Sequence, residues 1–305
     1  MTEDRWAADS AAHKPALSIL IRVRGAMPSL RPAEQRVAQA VLSNPAAISE
    51  SSITTVARQC QTSETTVLRF CRAIGLAGYP ELRIALARAA QREEADPGGG
   101  PARNGTISAG DSLPDLVNKI IYADARAIED TGRALELETL TAAIDAICGA
   151  RRVDLYGVGA SALVAHDLHY KLHRIGLTSF SWADPHLALT SAAMLTESDV
   201  AIGISHTGTT IDVLDALRVA REHGATTIGV TNFEKAPIAA HADLLLTTAA
   251  RETTFRSGTM ASRIAPLVLV DCLFAGVAQR SYDSAIGALE TTFAAVRGRH
   301  GARRA

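Results

Sequence analysis

Three absences limit what this chain of 305 residues can be. No apolar run reaches the ~18 residues that a membrane-spanning helix needs, so we expect no membrane association. The polar start, MTEDRWAADSAAHKP, lacks the apolar core of a secretory signal. The cysteines have no metal-binding spacing and lie in apolar helical contexts, which predicts reduced, buried thiols in a cytoplasmic protein. They are Cys60, Cys71, Cys148 and Cys272.

Charge is unevenly distributed along the chain. Hydrophobic residues make up 47% and charged residues 21% of the composition, which allows a sizeable core in each of two domains. The net charge is −1 overall, yet residues 15–92 hold ten arginines and four glutamates, a local charge of +6. Residues 1–14 carry −1 and residues 93–305 carry −6. A basic module on an acidic body predicts a polyanionic partner for that module alone.

Composition divides the chain into four parts. Residues 1–14 are a predicted mobile tail, 15–92 a helical domain, 93–111 a linker rich in glycine and proline, and 112–305 a larger domain. The larger domain begins with a helical stretch over 112–150, and apolar runs then alternate with amphipathic ones. The predicted strands are Val153–Val158, Thr178–Trp182, Asp199–Ile204, Thr226–Val230 and Asp243–Thr248. The predicted helices are Ala160–Ile175, Pro185–Leu195, Ile211–His223, Thr259–Gln279 and Ser284–Arg297. This alternation is typical of an α/β domain in which helices flank both faces of a parallel sheet.

Two turns that follow predicted strands have the composition of an anion site. The first is Gly157–Ser161 (GVGAS) and the second is Ile204–Thr210 (ISHTGTT). A hydroxyl-rich turn directs hydroxyl and backbone N–H groups towards one point beside the positive end of a helix, where phosphate binds well. Parallel sheets bind ligands at the carboxyl ends of their strands, which is where both turns are predicted. The alternative is that these hydroxyls merely cap the helices that follow.

Residues 52–75 have the pattern of a helix-turn-helix. An amphipathic helix, Ser52–Cys60, is followed by a turn and by a second helix that starts at an N-capping Ser63 and stops at Gly75. Serine, threonine and arginine in the first half of the second helix suit a recognition helix in the major groove. The predicted DNA-binding residues are Arg58, Ser63, Glu64, Thr65, Thr66, Arg69 and Arg72, of which the arginines would contact phosphates. A plain helical hairpin with solvated charges is the alternative, and the charge of +6 disfavours it.

Seven motifs in a fixed order resemble RpiR-type transcriptional regulators. Three resemble the family's N-terminal domain: LRPAEQRVAQAVLSNP from Leu30, TSETTVLRFCRAIG from Thr62 and GYPELR from Gly78. Four resemble its C-terminal SIS (sugar isomerase) domain: GVGAS from Gly157, KLHRIG from Lys171, ISHTG from Ile204 and RSGTMASR from Arg256. The resemblance covers about residues 15–280. It implies a winged-type helix-turn-helix joined to an α/β domain that binds a sugar phosphate, acting as a homodimer or homotetramer on double-stranded operator DNA without a cofactor.

The resemblance also implies an effector site. The family's phosphate loop follows the pattern Ser-x-Ser-Gly-x-Thr, and Thr207 keeps the hydroxyl of the usual second serine. Ser161 matches a sugar-contacting serine, and Glu252 lies near the position of an acid–base carboxylate in related sugar isomerases. The implied effector residues are Gly159, Ser161, Ser205, His206, Thr207, Gly208, Thr210 and Glu252. Pro266 departs from the family's usual glutamine, and a proline inside a helix costs about 3 kcal/mol.

The function implied is that of a repressor of sugar or amino-sugar metabolism genes, controlled by a sugar phosphate and without enzymatic activity. The alternative is a phosphosugar isomerase or lyase that uses Glu252 or His206 as its base. The basic helix-turn-helix disfavours an enzyme, which has no use for it. His166, His169 and His173 share one helix face and could hold a metal, but the sequence offers no fourth ligand. We therefore expect a solvated or interface face there and no metal.

Overall fold

The computed structural model describes residues 19–94, 107–250 and 261–297, which divide into two compact units. The first unit comprises residues 19–94, 107–134 and 233–236, and the second comprises 135–232, 237–250 and 261–297. The predicted tail, most of the predicted linker, Glu252 and most of the RSGTMASR motif lie outside the described residues. The boundaries assigned to the domains stay predictions.

Helices form the first unit. They are α1 (Ile19–Ala26), α2 (Pro32–Ser43), α3 (Pro45–Glu50), α4 (Ile53–Gln59), α5 (Glu64–Ala73), α6 (Tyr79–Glu94) and α7 (Leu113–Ala134). Apolar side chains from α1 to α6 meet in one core around the fully buried Phe70 and Leu82. The winged form implied by the resemblance requires β-strands, and every regular element described within 19–94 is helical. In place of a wing, α6 packs on α3, and the Tyr79 hydroxyl lies within hydrogen-bonding distance of the carbonyl oxygens of Ile48 and Ser51.

A five-stranded sheet is the centre of the second unit. Its strands are β1 (Arg152–Gly157), β2 (Ser179–Trp182), β3 (Asp199–Ile204), β4 (Thr226–Thr231) and β5 (Leu244–Thr247). All pairings are parallel, in the order β2-β1-β3-β4-β5. β3 is buried along its whole length because helices cover both faces of the sheet. The predicted parallel α/β sheet is confirmed, with each strand within about a residue of its predicted bounds.

Six helices surround this sheet in the described part of the chain. They are α8 (Leu137–Gly149), α9 (Ala160–Arg174), α10 (Pro185–Ala192), α11 (Ile211–Glu222), α12 (Ala261–Arg280) and α13 (Tyr282–Arg297). α8, α12 and α9 pack side by side, and α10 packs against α11. The helical stretch predicted over 112–150 is divided into α7 and α8 at Leu135–Glu136, whereas α12 continues through Pro266.

No single helix among the described residues is long and apolar enough to cross a membrane. The consecutive segments Arg263–Arg280 and Tyr282–Arg297, bent by 110°, meet that criterion of length and composition only when taken together.

Gly157 allows the first turn of α9 to pass close to the end of β1. A Cβ at this position would lie 2.7 Å from the Ser161 carbonyl oxygen and 3.0 Å from the Ala162 amide nitrogen. We therefore expect Gly157→Ala to destabilise the protein by about 1–3 kcal/mol, the usual cost of overpacking. Thermal unfolding should show a decrease in Tm of roughly 2–4 °C per kcal/mol. Gly287→Ala is the matched control, because a Cβ there meets no atom within 4 Å. Equal Tm values for the two variants would contradict the close approach.

Candidate functional site

The two hydroxyl-rich turns begin at neighbouring points of the sheet. Strand order reverses at β1, since β2 lies on one side of it and β3 to β5 follow on the other. In parallel sheets, ligands bind in the crevice that opens at such a switch point. Gly157 and Ile204, the last residues of β1 and β3, are register partners. The turns Gly157–Ser161 and Ile204–Thr210 therefore leave the sheet side by side, one leading into α9 and the other into α11.

Ser205 organises the second turn from a buried position. Its side chain is 1% exposed, and its Oγ lies 2.9 Å from the Thr210 Oγ1. The same Oγ accepts a hydrogen bond from the Gly208 N–H at 3.0 Å. Gly208 has φ +65°, a left-handed conformation that glycine adopts at little cost. The hydroxyls of Ser205 and Thr210 are thus held together directly before α11.

The middle of this turn combines an anchored backbone with an exposed hydroxyl. The carbonyl oxygen of His206 accepts hydrogen bonds from the Thr231 hydroxyl at 3.1 Å and from the Asn232 N–H at 3.0 Å. These hydrogen bonds attach the turn to the carboxyl end of β4. Thr207 is exposed, and its hydroxyl lies 2.8 Å from that of Thr209. His206 therefore has a scaffold role through its backbone.

The geometry differs from ordinary helix capping at both turns. Thr210 occupies the N-cap position of α11, but among the described residues its side chain makes no capping hydrogen bond. The N-cap residue of α9 is Gly159, with φ +60°. Ser161 lies one position inside the first residue of α9 and is half-buried. The hydroxyls of Thr210 and Ser161 are therefore not used to cap these helices.

A buried carboxylate that the sequence analysis missed lies in β1, three residues before Gly157. Asp154 is fully buried in β1. Its Oδ1 accepts a hydrogen bond from Arg152 Nε at 2.7 Å. Its Oδ2 accepts hydrogen bonds from Trp182 Nε1 at 2.9 Å and from Ser191 Oγ at 2.6 Å. These bonds join β1, β2 and α10. Burial, and then the neighbouring Asp154 carboxylate, raises the pKa of Tyr156 well above its usual range. The sequence signal that could have revealed Asp154 is that it is the single acidic residue inside a predicted apolar strand.

Most of the predicted DNA-binding residues on α4 and the predicted recognition helix α5 are exposed to solvent. Ser63 is confirmed as the N-cap of α5, accepting from the Thr66 N–H at 3.3 Å. The exposed candidates are Arg58, Ser63, Glu64, Thr65, Arg69 and Arg72. Thr66 is different: it is only 4% exposed, because it lies on the face of α5 that carries Phe70 into the core. Its side chain is therefore not on the solvent-facing surface of the helix.

Arg69 is held in place from two sides. Its Nη2 donates to the Thr66 hydroxyl at 3.2 Å, and its Nε lies 3.8 Å from the carboxylate of Glu34 on α2. Glu34 is buried and also accepts from the Arg31 backbone N–H at 3.1 Å, which closes the start of α2. The Arg69 side chain nevertheless stays 47% exposed. Sequence reasoning missed Glu34, since its contact with α5 joins residues 35 positions apart.

The three histidines of α9 form a row, with ring centroids 5.7 Å and 5.9 Å apart. In the part of the chain that the structure describes, no group of three or more metal-ligating side chains could hold an ion. The His169 Nδ1 lies 3.0 Å from the Ser179 hydroxyl, which in turn donates to the His169 carbonyl oxygen. Burial, and then the charges of His166 and His173, lowers the pKa of His169.

This lowered pKa predicts a loss of stability in acid. The folded state binds the His169 proton more weakly than the unfolded state, so stability is complete above the unfolded pKa of about 6.5 and falls as the pH drops below it. We expect the Tm to decrease as the pH is lowered from 7.5 to 5.5. In His169→Asn, which keeps a hydrogen-bond donor to Ser179, that decrease should be smaller. His186→Asn, at an exposed histidine, is the control. An unchanged pH profile in His169→Asn would refute this origin.

Together these features define a class of protein: a helix-turn-helix module combined with a SIS domain. The family profile "Helix-turn-helix domain, rpiR family" matches residues 17–93, and the SIS domain profile matches residues 146–276. Over 274 residues the chain is 39% identical to an HTH-type transcriptional regulator of Caldanaerobacter subterraneus subsp. tengcongensis, covering 90% of this chain and 95% of the relative. The chain belongs to the RpiR family of HTH-type transcriptional regulators.

Two further proteins extend the comparison. The chain is 34% identical over 281 residues to the bifunctional protein glk of Paraburkholderia xenovorans, which covers 92% of this chain and 43% of that protein. The chain thus spans less than half the length of that relative. The solved structure of the Vibrio vulnificus NanR protein complexed with ManNAc-6P has a TM-score of 0.58 and 27% identity, covering 91% of this chain and 98% of NanR. Similarity to NanR therefore extends over both units.

Proposed function

We propose that this regulator responds to a sugar phosphate bound between the turn after β1 and the turn after β3. The observation that carries the proposal is the register pairing of Gly157 with Ile204, which starts both turns side by side at the switch point. The phosphate oxygens would accept hydrogen bonds from the hydroxyls of Ser205, Thr207 and Thr210 and from the first amides of α11. Ser161 and Gly159 would face the sugar from the other turn, and the resemblance adds Glu252, which lies outside the described residues, as a further candidate.

The chemical class of the effector is an amino-sugar or sugar 6-phosphate. NanR, which resembles this chain over nearly its whole length, was solved with ManNAc-6P, and this supports testing N-acetylhexosamine 6-phosphates first. The phosphate loop accounts for recognition of the shared phosphate. Sugar hydroxyls would be distinguished by side chains of the facing turn.

The response would act through the relative placement of two DNA-binding domains in a homodimer or homotetramer. Half-sites for such domains lie about 34 Å apart or at multiples of that distance, so a small reorientation misaligns both recognition helices. An effector alters DNA affinity only by its differential affinity for the two states, typically about 1–3 kcal/mol. We propose repression of sugar or amino-sugar genes, controlled through this coupling.

The test is selection of double-stranded DNA by the full-length protein, with and without a pool of sugar phosphates. An enriched two-fold-symmetric site whose capture changes with the pool is the expected result, and dividing the pool then identifies the ligand. No enrichment at low salt would overturn the proposal. Turnover of the same sugar phosphates by the full-length chain would favour the alternative, a phosphosugar isomerase or lyase.

A further inference from the structure

Helix α13 exposes a continuous apolar stripe. Tyr282, Ile286, Phe293 and Val296 are 64%, 40%, 56% and 50% exposed, although all four are large apolar side chains. With the half-buried Leu289 they follow the spacing 4-3-4-3, which is the a/d pattern of helices that pair side by side. The stripe therefore has the pattern of a helix–helix seam that a second helix would cover.

The second half of α13 has little contact of its own with the protein. Ala285 and Leu289 attach the first half to the core, but from Glu290 to Arg297 every described side chain except Thr292 is exposed. Two unsupported helical turns are only marginally stable in water, since most helical stability in proteins comes from packing. Covering Phe293 and Val296 would supply that packing.

The charged residues beside the stripe indicate which helix would pair with α13 and in which orientation. Asp283, Glu290 and Arg297 occupy the same heptad position, next to the seam. In an antiparallel pair of identical helices this position faces its own equivalent. If Ile286 meets Val296 of a second copy, Asp283 lies beside Arg297 of that copy at both ends. A register shifted by one heptad would instead place Asp283 beside Glu290.

We propose that α13 is an interface between copies of this chain, in which two α13 helices pair antiparallel about a two-fold axis near Glu290. Phe293 packs on Leu289 of the second copy, and two Asp283–Arg297 ion pairs close the ends. Glu290 lies beside its own symmetry mate, so it is the one unfavourable contact. The proposal rests on α13 alone and is independent of the effector.

Sedimentation of the full-length protein over a concentration series tests the seam. Phe293→Glu should raise the dissociation constant at least tenfold or halve the oligomer size, because it places a carboxylate in the apolar seam. Thr291→Glu is the matched control, as it adds the same charge on the outer side of the same turn. Unchanged association in Phe293→Glu, or an equal loss in both variants, would overturn the proposal.

A charge exchange tests the direction of pairing. Asp283→Arg and Arg297→Asp should each weaken association about threefold to tenfold, and combining them should restore it. Glu290→Gln should strengthen association, since it removes the like-charge contact at the axis. Thermal unfolding should show that each single variant is folded. If association is then not restored in the combined variant, the antiparallel register is refuted. Binding of lipid vesicles by wild type without self-association would likewise overturn the proposal.

Discussion

Replacing Ser205 by alanine and Thr207 by valine should abolish the effector response while operator binding remains. Each hydroxyl would donate to a charged phosphate, and such a bond contributes about 1.5–3 kcal/mol. Losing two of them lowers effector affinity by at least ~100-fold. Calorimetric titration with the sugar phosphate and operator binding with and without it measure both effects.

The turn should stay folded in this double variant. The Gly208 N–H also donates to the Ser205 backbone carbonyl at 3.0 Å, a bond that the substitution leaves in place. Thr209→Val is a graded control: Thr209 is exposed and outside the family's loop pattern, but its hydroxyl lies 2.8 Å from that of Thr207, so a smaller loss is expected. A double variant that still responds normally would contradict the phosphate-loop interpretation, whereas equal loss in Thr209→Val would point to general damage to the turn.

Arg69→Ala should weaken operator binding about tenfold or more while effector binding stays unchanged. The side chain is held by Thr66 and Glu34 but remains half exposed, so it is accessible for the proposed DNA contact. A lost phosphate contact lowers the slope of log affinity against log salt by about 0.9. A lost base contact costs about 1–3 kcal/mol and relaxes the sequence preference at one position.

Two variants define what Arg69 does. Thr66→Val keeps the buried shape but removes the hydroxyl that receives the Arg69 hydrogen bond, so it should produce a smaller loss of DNA affinity. Arg218→Ala removes an equal charge from α11 in the second unit, where Arg218 pairs with Glu222, and should leave DNA affinity unchanged. Wild-type affinity and salt slope in Arg69→Ala would exclude Arg69 from the DNA contact surface.

Elements with strong periodicity could be predicted from the sequence, and contacts between distant residues could not. The buried strands are short apolar runs bounded by turns, so β3 was predicted at its observed bounds. The break between α7 and α8 falls at Leu135–Glu136, and the nearest glycine, Gly132, lies inside α7, so neither apolar spacing nor glycine position marks it. Thr66 was predictable in principle, since it lies four residues before the buried Phe70 and hence on the same helix face.

The candidate site shows the same division. The turns were predictable because hydroxyls and glycines cluster locally after apolar runs. The hydrogen bond from the Trp182 N–H to Asp154 was not predictable, because the two residues are 28 positions apart and meet only when β1 and β2 pair. Glu34 and Arg69 are likewise brought together by the packing of α2 on α5.

The hydrogen bond from Trp182 to Asp154 gives the protein an intrinsic fluorescence probe in the second unit. The chain has two tryptophans, Trp6 and Trp182, so Trp6→Phe would leave one tryptophan, at the carboxyl end of the strand beside β1. Its indole donates to a buried carboxylate and stacks on Phe180 at 5.9 Å. A ligand that alters the hydrogen bonds of Asp154 would therefore change the emission of an unlabelled protein, which would then report binding in real time.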